Sequence, residues 1–394
     1  MKININNIRV APTTEDGIFK LCSFGDLSEL LQEWVSVHNF ETEPSGRFTN
    51  IIIPSDTNID DIFESDVVYD YVDGFSPNLN KHLHIGHLSN LVLAKTFQKM
   101  GIGKKFVALL GDTLTGDVEQ IVAHNTFNDL IEKFDYRVDE TFFASNMRYD
   151  CDDELVDGSG KYEGSKAFDF GDGTKIVGIK SDGSTSYFYQ DVALASTLLK
   201  STLYLTGNEQ SNHFAYLKKL YPHTNHIPLG LITTDGKKES SRSGEVKFAQ
   251  DIIDILLEEF PDEKLVYNII AGQILKSVPK NNIEIKLKQI SNPKTSLGLY
   301  LSYTLARMKN TGMSYYLLDK FNSTRLSFIE KKSKNNLNPS LLFNELVNIC
   351  KDINSLYGKY SIKENPENEK RFTSLVQDLE YGMKVLGLFS VDKV

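Results

Sequence analysis

Three of the chain's eight histidines, His82, His84 and His87, fall in one short stretch, "SPNLNKHLHIGHLSNLVLAKTFQKMG", from Ser76 to Gly101. A proline–asparagine turn precedes them and a helical apolar pattern follows. Leu88, Leu91, Val92, Ala94 and Phe97 share one face of that helix, with Gly101 as its stop. A helix start carries unpaired backbone N–H groups and the positive end of the helix dipole, which suits phosphate. Gly86 would let a phosphate or an adenine ring approach the backbone closely. His84 and His87 can donate hydrogen bonds to phosphate oxygens whether neutral or charged. The same spacing also fits chance or half of a metal site, although no Cys or His cluster nearby supplies the remaining ligands.

The flanking segments place this stretch at a strand-to-helix junction. "DVVYDYV" before it and "KFVALLGD" after it, ending in Gly111-Asp112, read as buried strands, so the order is strand, helix, strand. In α/β folds nucleotides bind at the carboxyl ends of such strands. Residues 1–65 read as a small α/β appendage, with a helix in "DLSELLQEWVSV" and a strand in "RFTNIIIP". From about 157 to 190 the chain is rich in hairpins, with Asp-Gly turns in "DFGDGTK" and "IKSDGSTS". "STLYLTG" predicts a strand, "NHFAYLKKLY" a helix and "HIPLGLIT" another buried strand. A helical half begins at "EVKFAQDIIDILLEEF" and continues through "EKLVYNIIAGQILKSV", "LGLYLSYTLARMKN", "SLLFNELVNICKDINSLYG" and "RFTSLVQDLEYGMKVLGLF". Within it, "FIEKKSKNNLNPS" is expected to be a solvated loop. No internal repeat is visible.

With 394 residues, 40% hydrophobic and 24% charged, the chain has room for two or three domains. Its net charge of -10 excludes a global basic field, so an RNA partner would need a local patch. Cys22, Cys151 and Cys350 are odd in number and far apart, which fits neither a disulfide framework nor a zinc pattern and suits a reducing cytoplasm. "MKININNIRVAPTTEDG" lacks the apolar core of a signal peptide, and no run approaches membrane-spanning length.

"SPNLNKHLHIGHL" resembles the HIGH signature of class I aminoacyl-tRNA synthetases in its arginyl-tRNA synthetase version, where Ser-Pro-Asn precedes a lysine and His-x-Gly-His. Four further stretches follow in the family's order. "KSDGSTSYFYQDVALA" is similar to the segment in which an Ser-Asp-Gly turn leads to a tyrosine and an aspartate. "YLTGNEQSNHFAYLKKL" is similar to its Gly-x-Asp-Gln…His-Phe segment. "HIPLGLI" resembles the strand before the second signature. "KKESSRSGEVKFAQDIID" resembles the KMSKS-type loop in a Ser-Ser-Arg form. The resemblance covers about residues 66–390.

The resemblance implies an α/β fold: a Rossmann-like catalytic domain at 66–262, with a reduced connective insertion at about 124–186, then a helical, anticodon-binding-like domain at 263–394. It implies activation of L-arginine by ATP with Mg²⁺, and transfer to tRNA, by a cytoplasmic monomer that does not engage membranes. Lys81, His84, His87, Lys238, Ser240, Ser241 and Arg242 take the catalytic positions. Lys81 matches the lysine that compensates, in many of these enzymes, for a KMSKS loop without its second lysine; here the loop reads Lys238-Glu239-Ser240-Ser241-Arg242. Asp73, Ser76, Asn78, Tyr187, Asp191 and Gln210 match the arginine site, where a guanidinium needs planar acceptors. His84, Gly86, His87, Gly207, Glu209 and His226 match the ATP site, with Glu209 at the ribose-contacting position. Tyr300, Tyr303, Arg307 and Lys309 are expected to meet RNA, unless the two tyrosines are core. The chain departs from the family after Asp112, where the tryptophan-glycine-threonine-glutamine run is missing, and in its short interval between signatures and reduced N-terminal domain. These departures leave two rival readings: an amide ligase that passes adenylated arginine to a small-molecule amine, and a catalytically idle tRNA-binding regulator.

Overall fold

In a computed structural model the chain is described throughout except at 12–17, 113–117, 150–154, 159–161, 236, 239–247, 291, 293–294, 311–322 and 360–365. It divides into two compact units, one of Val68–Val266 with Pro279–Asn292, the other of Met1–Val67, Tyr267–Val278 and Pro293–Val394.

The first unit is built on a five-stranded, wholly parallel sheet. In chain order its strands are Tyr69–Asp73, Gly103–Leu110, Glu140–Phe143, Thr202–Gly207 and Thr224–Leu229. In space the order is fifth, fourth, first, second, third. That is the doubly wound arrangement, whose order reverses between the first and fourth strands, so a crevice opens at their carboxyl ends. The "DVVYDYV" segment supplies the central strand, and the opening helix is Ile85–Lys99. One face of the sheet is covered by the helices Tyr187–Leu198 and Ser211–Leu220, whose Tyr189, Val192, Ala193, Phe214 and Leu217 pack with Val107 and Tyr204.

The helix Val118–Lys133 and the strand Glu140–Phe143 complete this sheet, so a separate small sheet starts later than residue 124. It is antiparallel, made of Val156–Asp157, Lys166–Asp169 and Lys175–Ile179. The expected Asp-Gly turn at Gly173 (φ 85°) joins its last two strands, and the one at Gly183 (φ 81°) leads from the last strand towards the helix Tyr187–Leu198. "HIPLGLIT" is not one strand. It breaks after Leu229, and Ile232–Thr234 joins a different sheet, antiparallel to Lys237–Lys238 and parallel to Ile283–Ile285. The break falls at Gly230, where a Cβ would come within 2.0 Å of the Asn281 carbonyl oxygen.

The second unit holds a four-stranded antiparallel sheet of Arg9–Val10, Lys20–Phe24, Phe48–Ile52 and Glu41–Ser45, in that spatial order. In the helix Glu29–His38 of the same unit, Trp34 is fully buried against Phe40 and Phe63 and donates from Nε1 to the Ile62 carbonyl at 3.0 Å. Helices Leu297–Lys309, Thr324–Asn335, Ser340–Lys359 and Pro366–Val385 make up the bundle. "FIEKKSKNNLNPS" is a correction: its first half is helix, with Phe328, Ile329, Glu330 and Lys331 buried. The physical reason is ion pairing with the acidic N-terminal segment. Lys331 Nζ lies 2.8 Å from Asp60 and 2.9 Å from Asp66, and the Lys332 ammonium donates to the Ile8 carbonyl.

Candidate functional site

At the reversal point, Tyr204 of the fourth strand is in register with Asp73 of the first and His226 of the fifth. In-register residues of neighbouring strands point to the same face. Asp73 is the last residue of its strand and only 5% exposed. Ser76 Oγ donates to Asp73 Oδ1 and accepts the Leu109 N–H at 2.8 Å. Burial, with a smaller contribution from the Asp191 carboxylate, pushes the Asp73 carboxyl up to about 7 against the pull of Ser76. Asp191 enters from the helix Tyr187–Leu198, and its Oδ2 lies 2.6 Å from His213 Nε2. Asn78 Nδ2 donates to the Tyr187 hydroxyl at 2.7 Å, and Asn78 Oδ1 accepts the Asn80 N–H at 2.9 Å. Tyr187 is otherwise exposed.

His84 is the N-cap of the helix Ile85–Lys99. Its Nδ1 accepts the Gly86 N–H at 3.1 Å, while its own backbone N–H donates to His87 Nδ1 at 3.0 Å. The rings stack with centroids 4.1 Å apart. An imidazole whose Nδ1 accepts carries its proton on Nε2, so both rings keep an Nε2–H donor. Burial is the main cause that lowers both, with Lys81 adding to it at His84 and the cost of charging two stacked imidazoles together adding to it at His87, which falls to about 3. A Cβ on Gly86 would lie 2.9 Å from His84 Cε1, so a side chain here would disturb that pairing. Lys81 is exposed and is a secondary cause of the lowered His84.

On the fourth strand's exit, the Glu209 carboxylate folds over Gly207, where a Cβ would meet Oε1 at 2.3 Å and turn that exposed side chain aside. Glu209 is exposed and Gln210 half-buried. His226 Nε2 lies 2.9 Å from Thr206 Oγ1, and its ring stacks on Phe214 at 4.5 Å.

Thus Asp73 and Asp191 are brought into electrostatic reach of each other, as are His84 and His87, at the carboxyl side of the sheet. Lys238 pairs in its strand with Thr233, whereas Ser240, Ser241 and Arg242 lie outside the described residues. The chain re-enters at Phe248, which bridges to His84, rings against His82 at 4.4 Å and precedes Ala249, whose N–H donates to the Leu83 carbonyl at 2.7 Å. The return of the second signature is thereby tied to the first. Sequence reasoning missed Phe248, and it missed His213 except as part of a segment. No spacing rule connects an acid with a histidine 22 positions away on the next helix.

No family model matches the chain. Among curated proteins it is similar to the arginine–tRNA ligase of Lactobacillus acidophilus, at 30% identity over 216 residues, covering 47% of this chain and 38% of that protein. It is also similar to that of Enterococcus faecalis, at 26% identity over 269 residues, covering 55% of this chain and 47% of that protein. The chain therefore spans less than half the length of these two relatives. Its fold is that of Thermus thermophilus arginyl-tRNA synthetase, with a TM-score of 0.65 at 14% identity over 98% of this chain and 96% of that one. The Plasmodium falciparum arginyl-tRNA synthetase gives 0.65 at 17% identity over 90% and 86%. Likeness in sequence and in fold agrees with the ordered signatures: this chain is related to the arginyl-tRNA synthetases and has the class I synthetase fold.

Proposed function

We propose that the chain activates L-arginine with ATP and passes it to tRNA. The arginine carboxylate attacks the α-phosphorus, the bond to the bridging oxygen breaks, and pyrophosphate leaves with the electron pair. A hydroxyl of the terminal adenosine then attacks the adenylate's carbonyl, loses its proton and releases AMP. The observation that carries this reading is the pair Asp73 and Asp191, two mostly buried carboxylates beside a phosphate-suited helix start. A guanidinium supplies the cation that such a pair lacks, and planar bidentate contacts select it over an ammonium.

The Nε2–H groups of His84 and His87 would meet phosphate oxygens, and their hydrogen bonds would strengthen as charge grows on the pentacoordinate phosphorus. Gly86, Gly207, Glu209 and His226 would frame the nucleoside, with Lys81, Lys238, Ser240, Ser241 and Arg242 nearer the leaving pyrophosphate. Ser76, Asn78, Tyr187 and Gln210 would hold the rest of the amino acid. Magnesium needs few protein ligands when it rides on phosphate oxygens. Among the described residues no group of three or more His, Cys, Asp or Glu could cage it, so it would arrive with ATP.

A second reading keeps adenylation and changes the acceptor to a small amine. An open cavity of about 260 Å³, lined by Leu79, Asp112, Ile121, His124, Asn125 and Phe143, is a candidate place for that amine. ATP–pyrophosphate exchange with arginine, run with and without arginine tRNA, tests the proposal. Arginine-dependent exchange supports the activation step that both readings share, charging of arginine tRNA supports the transfer, and exchange that ignores arginine overturns the proposal. Among the described residues no helix is long and apolar enough to cross a membrane.

A further inference from the structure

Asp191 is held by one partner of particular geometry. His213 Nε2 lies 2.6 Å from its Oδ2, with the two side chains 20% and 16% exposed. The imidazole is wedged between rings, with Phe188 at 5.0 Å, near-perpendicular, and Phe214 at 4.9 Å. Phe188 is on the same helix as Asp191 and Phe214 follows His213, so both helices fix the ring's plane. Among the described residues Asp191 Oδ1 has no hydrogen-bond partner, which leaves one oxygen available and one tied back. A carboxylate on a helix otherwise samples several rotamers, and recognition of a planar cation needs one.

We infer that His213 is a positioning residue for amino-acid recognition: its Nε2–H holds Asp191 so that Oδ1 faces the guanidinium. This rests on arginine being the substrate proposed above. A rigid ring suits the task better than a flexible chain: the imidazole, clamped between Phe188 and Phe214, donates from Nε2 in one direction, whereas a Lys or Arg stem would not be fixed by those rings. His213 touches neither substrate nor phosphate in this scheme, so its loss should act on arginine recognition and spare ATP.

The bland alternative is that His213 only ties two helices together. Three variants separate the two. His213→Leu keeps the ring's apolar packing and removes the donor. His213→Gln keeps a donor near the Nε2 position. His213→Ala removes both. Pyrophosphate exchange should show arginine KM raised roughly ten- to hundredfold in His213→Leu, the usual scale for losing a hydrogen bond to a charged group. ATP KM should stay within about twofold, and discrimination against citrulline should shrink. His213→Gln should recover most of the arginine KM. Wild-type arginine KM in His213→Leu, or no recovery in His213→Gln, overturns the inference. So does a parallel rise in both KM values. Imidazole ¹⁵N resonances give a readout that does not depend on the substrate. An Nε2–H tautomer that is lost or shifted in Asp191→Asn supports the pairing, and an Nδ1–H tautomer in the wild type overturns it. If the wild type shows no exchange with arginine but keeps the Nε2–H tautomer, the proposed function has failed and the pairing has not.

Discussion

The most consequential single group is the Asp73 carboxyl. It ends the central strand at 5% exposure, and burial raises it to about 7. An acid raised on folding binds its proton more tightly in the native state, so it subtracts from stability as pH rises from about 4 to about 7 and adds no further slope above. Asp73→Asn should therefore be relatively more stable than the wild type at pH 8 than at pH 5, measured as the difference in urea midpoints. Function runs the other way. A guanidinium needs the ionised acid, so arginine affinity should fall as pH drops through about 7, and Asp73→Asn should bind arginine poorly at every pH. Isothermal titration from pH 6 to pH 8 checks both; a pH-independent wild-type affinity would contradict the ionisation argument. Tyr204 adds to the picture, because its buried hydroxyl has no partner among the described residues while both acids lie within electrostatic reach. Little of this was legible beforehand. Asp73 and Asp191 matched a pattern, but their mutual approach depends on strand register and helix packing that no local spacing encodes.

At the scale of elements, the parallel sheet was the most legible part, because strands buried on both faces read as apolar runs. "KFVALLGD" and "STLYLTG" became Gly103–Leu110 and Thr202–Gly207. Two readings failed for identifiable reasons. "HIPLGLIT" is apolar throughout, but Gly230 lies against the Asn281 backbone and the chain changes sheets there. "FIEKKSKN" looked solvated because its lysines were counted as surface groups. In the structure Lys331 is 5% exposed and bonded to Asp60 and Asp66, which are far away in sequence. The helix Thr324–Asn335 is thus stabilised by the acidic segment before Val68 as well as by its buried Leu326, Phe328 and Ile329. Lys331→Ala should lower stability by about 1–3 kcal/mol, since it leaves acids unpaired and a gap behind. Lys331→Met, which fills the gap, should lose less. Chemical denaturation orders the three proteins, and equal loss in Ala and Met would show that the charge alone matters.

For the whole molecule, the charge distribution bears on which acceptor the proposed reaction would use. Residues 293–394 carry 15 Lys and Arg against 10 Asp and Glu, whereas residues 1–67 carry 4 against 12. Both belong to one compact unit, and several bundle lysines are already engaged there. The residues expected to meet RNA are partly engaged as well. Arg307 stacks on Tyr357 at 4.3 Å and donates to Asn354, Lys309 pairs with Glu380 at 2.6 Å, and the Tyr300 hydroxyl accepts from Asn354 at 3.1 Å. Tyr303, at 47% exposure, is the one of the four that is presented outward. Tyr303→Ala should therefore weaken arginine tRNA binding with little loss of stability, by the roughly 1–3 kcal/mol of one base stacked on an aromatic ring. Lys309→Ala should instead lower the urea midpoint through its lost partners. Filter binding at about 50 and 200 mM salt should show affinity falling with salt, with a shallow slope because few cations are free to displace counterions. Salt-sensitive binding that Tyr303→Ala reduces, together with charging, supports tRNA as the acceptor. Arginine-dependent exchange with neither binding nor charging would move the assignment to the small-amine reading and to the cavity beside Asp112.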